Sequence, residues 1–418
     1  MNDALVGGLG LPPEVWMFLT ILSCLFLFFK FGRFWSVRNL DLLLLFAQTP
    51  GMVRLVGRGE AQSWSAFVLL FAGTGVWLVR CLVDLGFSRR PLLEPNLNSD
   101  GLACFVLGLL GLVLVETAIF DETPHSPRNP GDPHAQEAMN AAPPTLGTTL
   151  KSPPGEVAQN LRRLLAATGH LGIVFGLFTL GSKRYARPAI GLAMALCFLI
   201  LPYSRIALLD SGQLVPAALI ALAMANFRRP AVVGGLLGFS AAWMPPVLFL
   251  LPLWCGFYWG RGARRFLLVS IAFVAGAAIL TWFMPQATSL ARGLGARGFS
   301  EAGLYPASET PRAGSFWTQV EPAYRLPVFV LYAVCVGVAA IWPTNKNFGQ
   351  LLALSAATLL GSQFWYLDEG GTLVVLYLPL IIALVFRPNL STMRPDPAPS
   401  KSQAGQSLFA QETESQPQ

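Results

Sequence analysis

Three side chains in the stretch "SRIALLDSGQLVP", Arg205, Asp210 and Gln213, have types and spacing that could do chemistry. A carboxylate can take the proton of an attacking hydroxyl, and a guanidinium five residues away offers fixed positive charge to an anionic group. A helix starting at Gly212 would have Asp210 or Ser211 as its N-cap and Gln213 in its first turn. Free amide N–H groups there attract a phosphate or a sugar. The rival reading is a capped helix start whose side chains satisfy only one another.

A second group of acids, Glu116, Asp121 and Glu122, falls in "LVLVETAIFDETPH". Confinement in low dielectric would lift the pKa of one member toward neutrality and make it a general base, whereas full hydration would leave a plain helix end. Arg80 and Asp84, four residues apart in "VWLVRCLVDLG", share a helical face and suit a mutual ion pair. No metal centre or cofactor is expected. The six cysteines (Cys24, Cys81, Cys104, Cys197, Cys255, Cys335) lie in apolar runs without CxxC spacing, and the three histidines (His125, His134, His170) do not form a ligand set.

The elements that position these groups must be membrane helices. Of 418 residues, 54% are hydrophobic and only 12% charged, with mean hydropathy +0.54, whereas soluble domains carry about 25% charged residues. The chain is therefore expected to be all-α, a polytopic bundle in the bilayer of a cell or inner membrane. Apolar blocks fall at about 15–31, 40–57, 64–86, 102–120, 164–181, 188–203, 212–226, 231–259, 264–284, 326–343, 347–366 and 371–386. They correspond to about eleven spans plus one broken hairpin. The first run follows acidic and no basic residues, so it is expected to stay as an anchor and not to be cleaved as a signal peptide.

The net charge of +7 comes from small basic clusters between apolar blocks, which excludes a nucleic-acid stripe and marks the cytoplasmic loops. With the N-terminus outside and 40–57 crossing, Lys30/Arg33/Arg38, Arg89/Arg90, Lys183/Arg184/Arg187, Arg228/Arg229, Arg261/Arg264/Arg265, Lys346 and Arg387 all face inward. The block 40–57 contains Thr49, Pro50, Gly51 and Arg54, so it reads as a short kinked span or an interfacial helix. Basic residues at both ends of 228–265 and the break "WMPP" (Trp243 to Pro246) predict two half-helices returning to the same side.

Residues 1–120 form a four-span segment, 121–160 an outward Pro-rich loop, 161–387 the core, and 388–418 a disordered cytoplasmic tail. Aromatic residues Trp317, Trp365 and Tyr366 on the outward side suit an interfacial belt or a sugar platform.

Across residues 164–284 the order of features resembles the polyprenyl-phosphate-mannose-dependent mannosyltransferases, the family 87 glycosyltransferases of the GT-C superfamily. The matching elements are Gly212 with Gln213 opening a helix, Arg228 with Arg229, Gly235 to Gly238, and Ser240 to Pro246. Trp243 and Met244 stand where the family has a lysine, and Asp41 is the acid nearest the position of the family's base but falls on the cytoplasmic side.

The resemblance implies a GT-C-like fold and transfer of a hexose, such as mannose, from a polyprenyl-phosphate donor to an outward acceptor. Asp210 or Asp121 would be the base, Arg205 would lie near the leaving phosphate, and Gln213 with Gly212 would contact the substrate. Loss of the family's lysine and base also fits a relative that has given up catalysis. Two further readings stand beside it. One is a transporter lined by the "WMPP" break and gated by Arg80 and Asp84, and the other is a membrane scaffold.

Overall fold

The computed structural model describes residues 13–58, 64–86, 93–119, 154–284, 290–297 except 292, 316–318, 321–366 and 371–390 except 389. These are helical and contain no strand. In chain order the helices are α1 (Pro13–Phe28), α2 (Val37–Leu44), α3 (Thr49–Arg58), α4 (Trp64–Asp84), α5 (Ser99–Ile119), α6 (Pro154–Thr179), α7 (Pro188–Ile200), α8 (Pro202–Ile206), α9 (Ser211–Ala225), α10 (Pro230–Trp243), α11 (Leu250–Phe257), α12 (Ala263–Phe283), α13 (Arg325–Ile341), α14 (Phe348–Ser362) and α15 (Val374–Phe386).

Among the described residues four stretches, Trp64–Asp84, Ser99–Ile119, Val157–Arg184 and Ala263–Phe283, are long and apolar enough to cross a membrane. The other apolar helices have 10–17 residues, short of the roughly 20 that a full crossing takes. Helix α6 starts at Pro154, so the end of the expected 121–160 loop is helical. Its first turns contain Glu156, Gln159, Asn160, Arg162 and Arg163. Hydropathy passes over such residues although several are strong helix formers.

The segment 40–57 runs alongside α4 in the opposite direction. Asp41 meets Arg80, the Leu44 carbonyl accepts from Trp77 Nε1, Gln48 bonds Thr74, and Gly51 abuts Leu70. Between α2 and α3 the helix breaks at residues 45–48, and carbonyls freed by a break must find donors when buried. The Tyr203 hydroxyl donates to the Leu45 carbonyl at 2.8 Å, and Trp77 Nε1 adds a second donor to the Leu44 carbonyl, which also accepts from the Ala47 N–H. Gln48 completes the seam by donating to both Thr74 Oγ1 and the Tyr377 hydroxyl.

The chain also doubles back between α10 and α11. Met244 is extended (φ −134°, ψ 106°), as the residue before a proline prefers, and Pro245 opens a short 3-10 turn to Phe249. Helix α11 then returns so that the Tyr258 hydroxyl donates to the Phe227 carbonyl and Gly262 touches Pro230. Helix α12 therefore starts beside α10 and runs parallel to it, with Gly234 against Phe266 and Gly238 against Ser270. A second close pair is α6 with α9, where Gly169, Gly172 and Gly176 face Leu214, Ala218 and Ala221. Small residues let helix backbones approach where no water drives association.

These contacts give the bundle two ends. One, the basic end, gathers Lys30, Arg184, Arg187, the turns 227–229 and 258–262, Lys346 and Arg387. The opposite end holds Glu116, Arg205 and the start of α9. A single hydrophobic cluster joins helices from α1 to α15. Outside it, Leu107, Ile119, Leu268 and Trp282 on α5 and α12 are widely exposed, an apolar surface suited to lipid.

Candidate functional site

At the end opposite the basic clusters, α9 begins at Ser211 with Asp210 as its N-cap. The Asp210 carboxylate accepts from the Gln213 backbone N–H at 3.3 Å on one oxygen and from Gln213 Nε2 at 2.9 Å on the other. A carboxylate has about four acceptor positions, so the two bonds orient it and leave capacity. Asp210 is half-buried, while Gln213 is 5% exposed and its Oε1 has no hydrogen-bond partner among the described residues. Gln213 Nε2 also lies 3.4 Å from the Thr372 carbonyl. Gln363 accepts from the adjacent Leu373 N–H, and its buried Nε2 has no partner among the described residues.

Asp210 occupies the amide-rich start of α9 with negative charge, which disfavours a phosphate at the same place. Gly212 is covered: a Cβ there would meet the Gly295 carbonyl at 2.8 Å, and Ser211 Oγ donates to the Leu294 carbonyl. Gly212 is therefore a close-packing position. The segment 294–297 also reaches the hairpin tip, where the Arg297 N–H donates to the Trp243 carbonyl at 2.8 Å.

Five residues before Asp210, Arg205 sits in α8 and pairs with Glu116 of α5, Nη1 to carboxylate 2.6 Å, both side chains largely buried. The pair thus includes one of the three acids in the predicted cluster; Asp121 and Glu122 lie outside the described residues. Arg205 also closes a groove of about 190 Å³ between α1, α5 and α7, walled mainly by Leu27, Phe105, Leu109 and Leu199 with Thr20 and Ser23. Behind the α8–α9 turn His170 is buried, its Nε2 3.3 Å from the Leu208 carbonyl and its Nδ1 without a partner among the described residues.

The other concentration of charge is at the basic end. Arg80 forks onto Asp41 (2.6 and 3.0 Å) and reaches Asp84 at 3.2 Å, and Arg387 Nη2 donates to the second Asp84 oxygen. All four residues are at most 9% exposed. Two acids and two arginines thus tie α2, α4 and the end of α15 together. A buried carboxylate already satisfied by an arginine fork is a structural group, and Asp41 is at the wrong end to serve the Arg205–Asp210 region.

Among the described residues no group of three or more His, Cys, Asp or Glu side chains could hold a metal ion. No family model, no curated protein and no solved structure matches the chain. What the chain is therefore rests on its long apolar helices and their exposed apolar sides. The chain is a helical membrane protein. Spacing alone could not reveal the Thr372 carbonyl beside Gln213, Gln363 behind it or the Glu116–Arg205 pair, since only folding brings these segments together. The available signal was an isolated charge inside an apolar run, which is costly unless paired.

Proposed function

We propose that the chain is a GT-C-like membrane glycosyltransferase that moves a hexose from a polyprenyl-phosphate donor to an acceptor hydroxyl at the end of the bundle holding Asp210. That end faces outward, the basic end faces the cytoplasm, and about eleven crossings plus the α10–α11 hairpin build the bundle. The observation that carries the reading is the buried, unpartnered Gln213 Oε1 beside a half-buried, oriented Asp210 carboxylate. A buried carbonyl without a donor costs about 1–3 kcal/mol, and a sugar hydroxyl is a donor of the right kind.

In this reading the prenyl chain lies in the apolar groove between α1, α5 and α7, with its phosphate toward Arg205. Glu116 holds the guanidinium in place and yields part of it to the phosphate. Asp210 takes the acceptor hydroxyl proton as the oxygen attacks the anomeric carbon. The bond from that carbon to the phosphate oxygen breaks, and polyprenyl phosphate leaves with the electron pair and inversion. Gln213 fixes the carboxylate and receives a sugar hydroxyl.

The test is to incubate proteoliposomes with labelled polyprenyl-phosphate hexoses and hydroxylated acceptors. Transfer by wild type and its loss in Asp210→Asn support the reading. Absence of transfer to every acceptor, with donor binding equal in Asp210→Asn and Arg205→Gln, overturns it.

A further inference from the structure

The turn that follows α1 is held in shape by two asparagines from other segments. Asn39, fully buried, donates through Nδ2 to the Lys30 and Phe34 carbonyls at 3.0 and 3.2 Å, and its Oδ1 accepts from the Lys30 N–H at 3.2 Å. Asn96 Nδ2 donates to the Phe26 and Phe29 carbonyls at 2.9 and 3.1 Å, and its backbone N–H donates to the Leu27 carbonyl. Carbonyls left open at a helix end need such donors. The result is a fixed turn over residues 29–34.

This turn borders an open cleft of about 590 Å³ at the basic end, lined by Phe29, Lys30, Phe31, Gly32, Arg38 and Asn96. Two of these residues are cations, and among the described residues no carboxylate lines the cleft. Lys30 Nζ donates to Asn96 Oδ1 at 2.8 Å. An ammonium has three donors and the asparagine is neutral, so two donors and the charge are left to the cleft. Arg38 adds a half-buried guanidinium from the first turn of α2. Gly32 keeps one side open, since a Cβ there would meet nothing within 4 Å.

A row of aromatic rings starts in the same cleft. Phe31 packs edge-on to Phe29, Phe29 to Phe34, and Phe34 to Trp35, with centroids 5.1, 5.4 and 5.5 Å apart. Phe31 and Phe34 are exposed, and Trp35 is 94% exposed. An indole at the end of an apolar helix suits the headgroup level of a bilayer. Beside a site for a soluble anion these rings would face water. Beside a lipid they lie against its glycerol and acyl parts.

We propose that this cleft binds the headgroup of an anionic phospholipid, its phosphate held by Lys30 and Arg38 and its apolar part against Phe31 and the ring row that ends at Trp35. Charge complementarity selects the anionic headgroup, and the exposed rings select a lipid over a free ion. The inference depends neither on the Asp210 site nor on which side of the membrane the basic end faces.

The test reconstitutes the full chain in nanodiscs of equal phosphatidylglycerol and phosphatidylcholine and counts retained lipids by native mass spectrometry. Wild type should retain phosphatidylglycerol preferentially. Lys30→Gln, which keeps a donor for Asn96, should lower that preference about fivefold, the effect of one cation at a membrane surface. Gly32→Asp should lower it at least as much by placing negative charge in the cleft, while Gly32→Ala should leave it unchanged because the space there is open. Lys183→Gln removes an exposed cation that does not line the cleft and should leave the preference unchanged too. Equal retention of the two lipids by wild type overturns the proposal, as does an unchanged preference in Gly32→Asp. Equal losses in Lys30→Gln and Lys183→Gln also overturn it, since they would mark diffuse attraction without a site. Displacement of the lipid by millimolar inorganic phosphate does the same, assigning the cleft to a free anion.

Discussion

Arg80 and Asp41, 39 residues apart in the chain, are joined by two parallel hydrogen bonds in the buried basic end of the bundle. The same guanidinium reaches Asp84, and Asp84 is also held by Arg387. Replacing one partner of such a set leaves an uncompensated buried charge, which costs about 3–5 kcal/mol. Arg80→Met should therefore destabilise the protein severely, read as a fall in thermal midpoint in detergent. Asp41→Asn combined with Arg80→Met should cost less than the sum of the singles, because contacting residues are not additive. Additive effects would show that the network is not a unit.

The seam between α2, α3 and α4 depends on Gln48. Its amide donates to Thr74 and Tyr377 inside the core. Gln48→Leu should lower stability by about 1–3 kcal/mol, since two buried hydroxyl oxygens lose a donor. Thermal denaturation followed by size-exclusion checks this. A change within error would mean that α2 and α3 are held by α4 packing alone.

Close packing of α10 on α12 makes a paired glycine prediction. A Cβ on Gly234 would run into the Phe266 carbonyl, whereas Gly108 on α5 has nothing within 4 Å. Gly234→Ala should destabilise by about 1–3 kcal/mol through overpacking, and Gly108→Ala should be neutral or stabilising by up to about 1 kcal/mol. Equal effects at both positions would contradict the parallel α10–α12 contact.

At the opposite end, Glu116→Gln frees Arg205 from its counter-charge without removing volume. In the glycosyltransferase reading the unpaired guanidinium should hold polyprenyl phosphate more tightly, by about fivefold or more. Surface plasmon resonance on nanodiscs measures this. Weaker binding in Glu116→Gln than in wild type would indicate that the pair is structural only.

How far the sequence could be read depended on the range of the interaction. The break at "WMPP" and the cap at the start of α9 are local consequences of proline and capping chemistry, and each is visible in a few consecutive residues. The Arg80–Asp84 pair was also legible, because i,i+4 spacing fixes it. Its outer partners were not: Asp41 and Arg387 lie 39 and 303 residues from Arg80 and Asp84, and only the tertiary fold brings them in. The character of 40–57 was ambiguous for the same reason, since its broken helix is repaired by Tyr203, Trp77 and Tyr377 from distant segments. Gly212 reads in the sequence as a residue opening a helix, and only the fold shows Gly295 passing closely over it.

In the glycosyltransferase reading Asp210 acts as the base of a sugar transfer with Gln213 orienting it. The most direct measurement is the initial rate of hexose transfer from a polyprenyl-phosphate donor in proteoliposomes, compared for wild type, Asp210→Asn and Gln213→Leu. Asp210→Asn keeps the side-chain oxygen that caps α9, so folding should survive while the rate falls about 10²- to 10⁴-fold, the contribution of a general base. Gln213→Leu should show a smaller fall with a raised KM for donor. Equal rates in wild type and Asp210→Asn, or no transfer by wild type with any donor, would contradict the account.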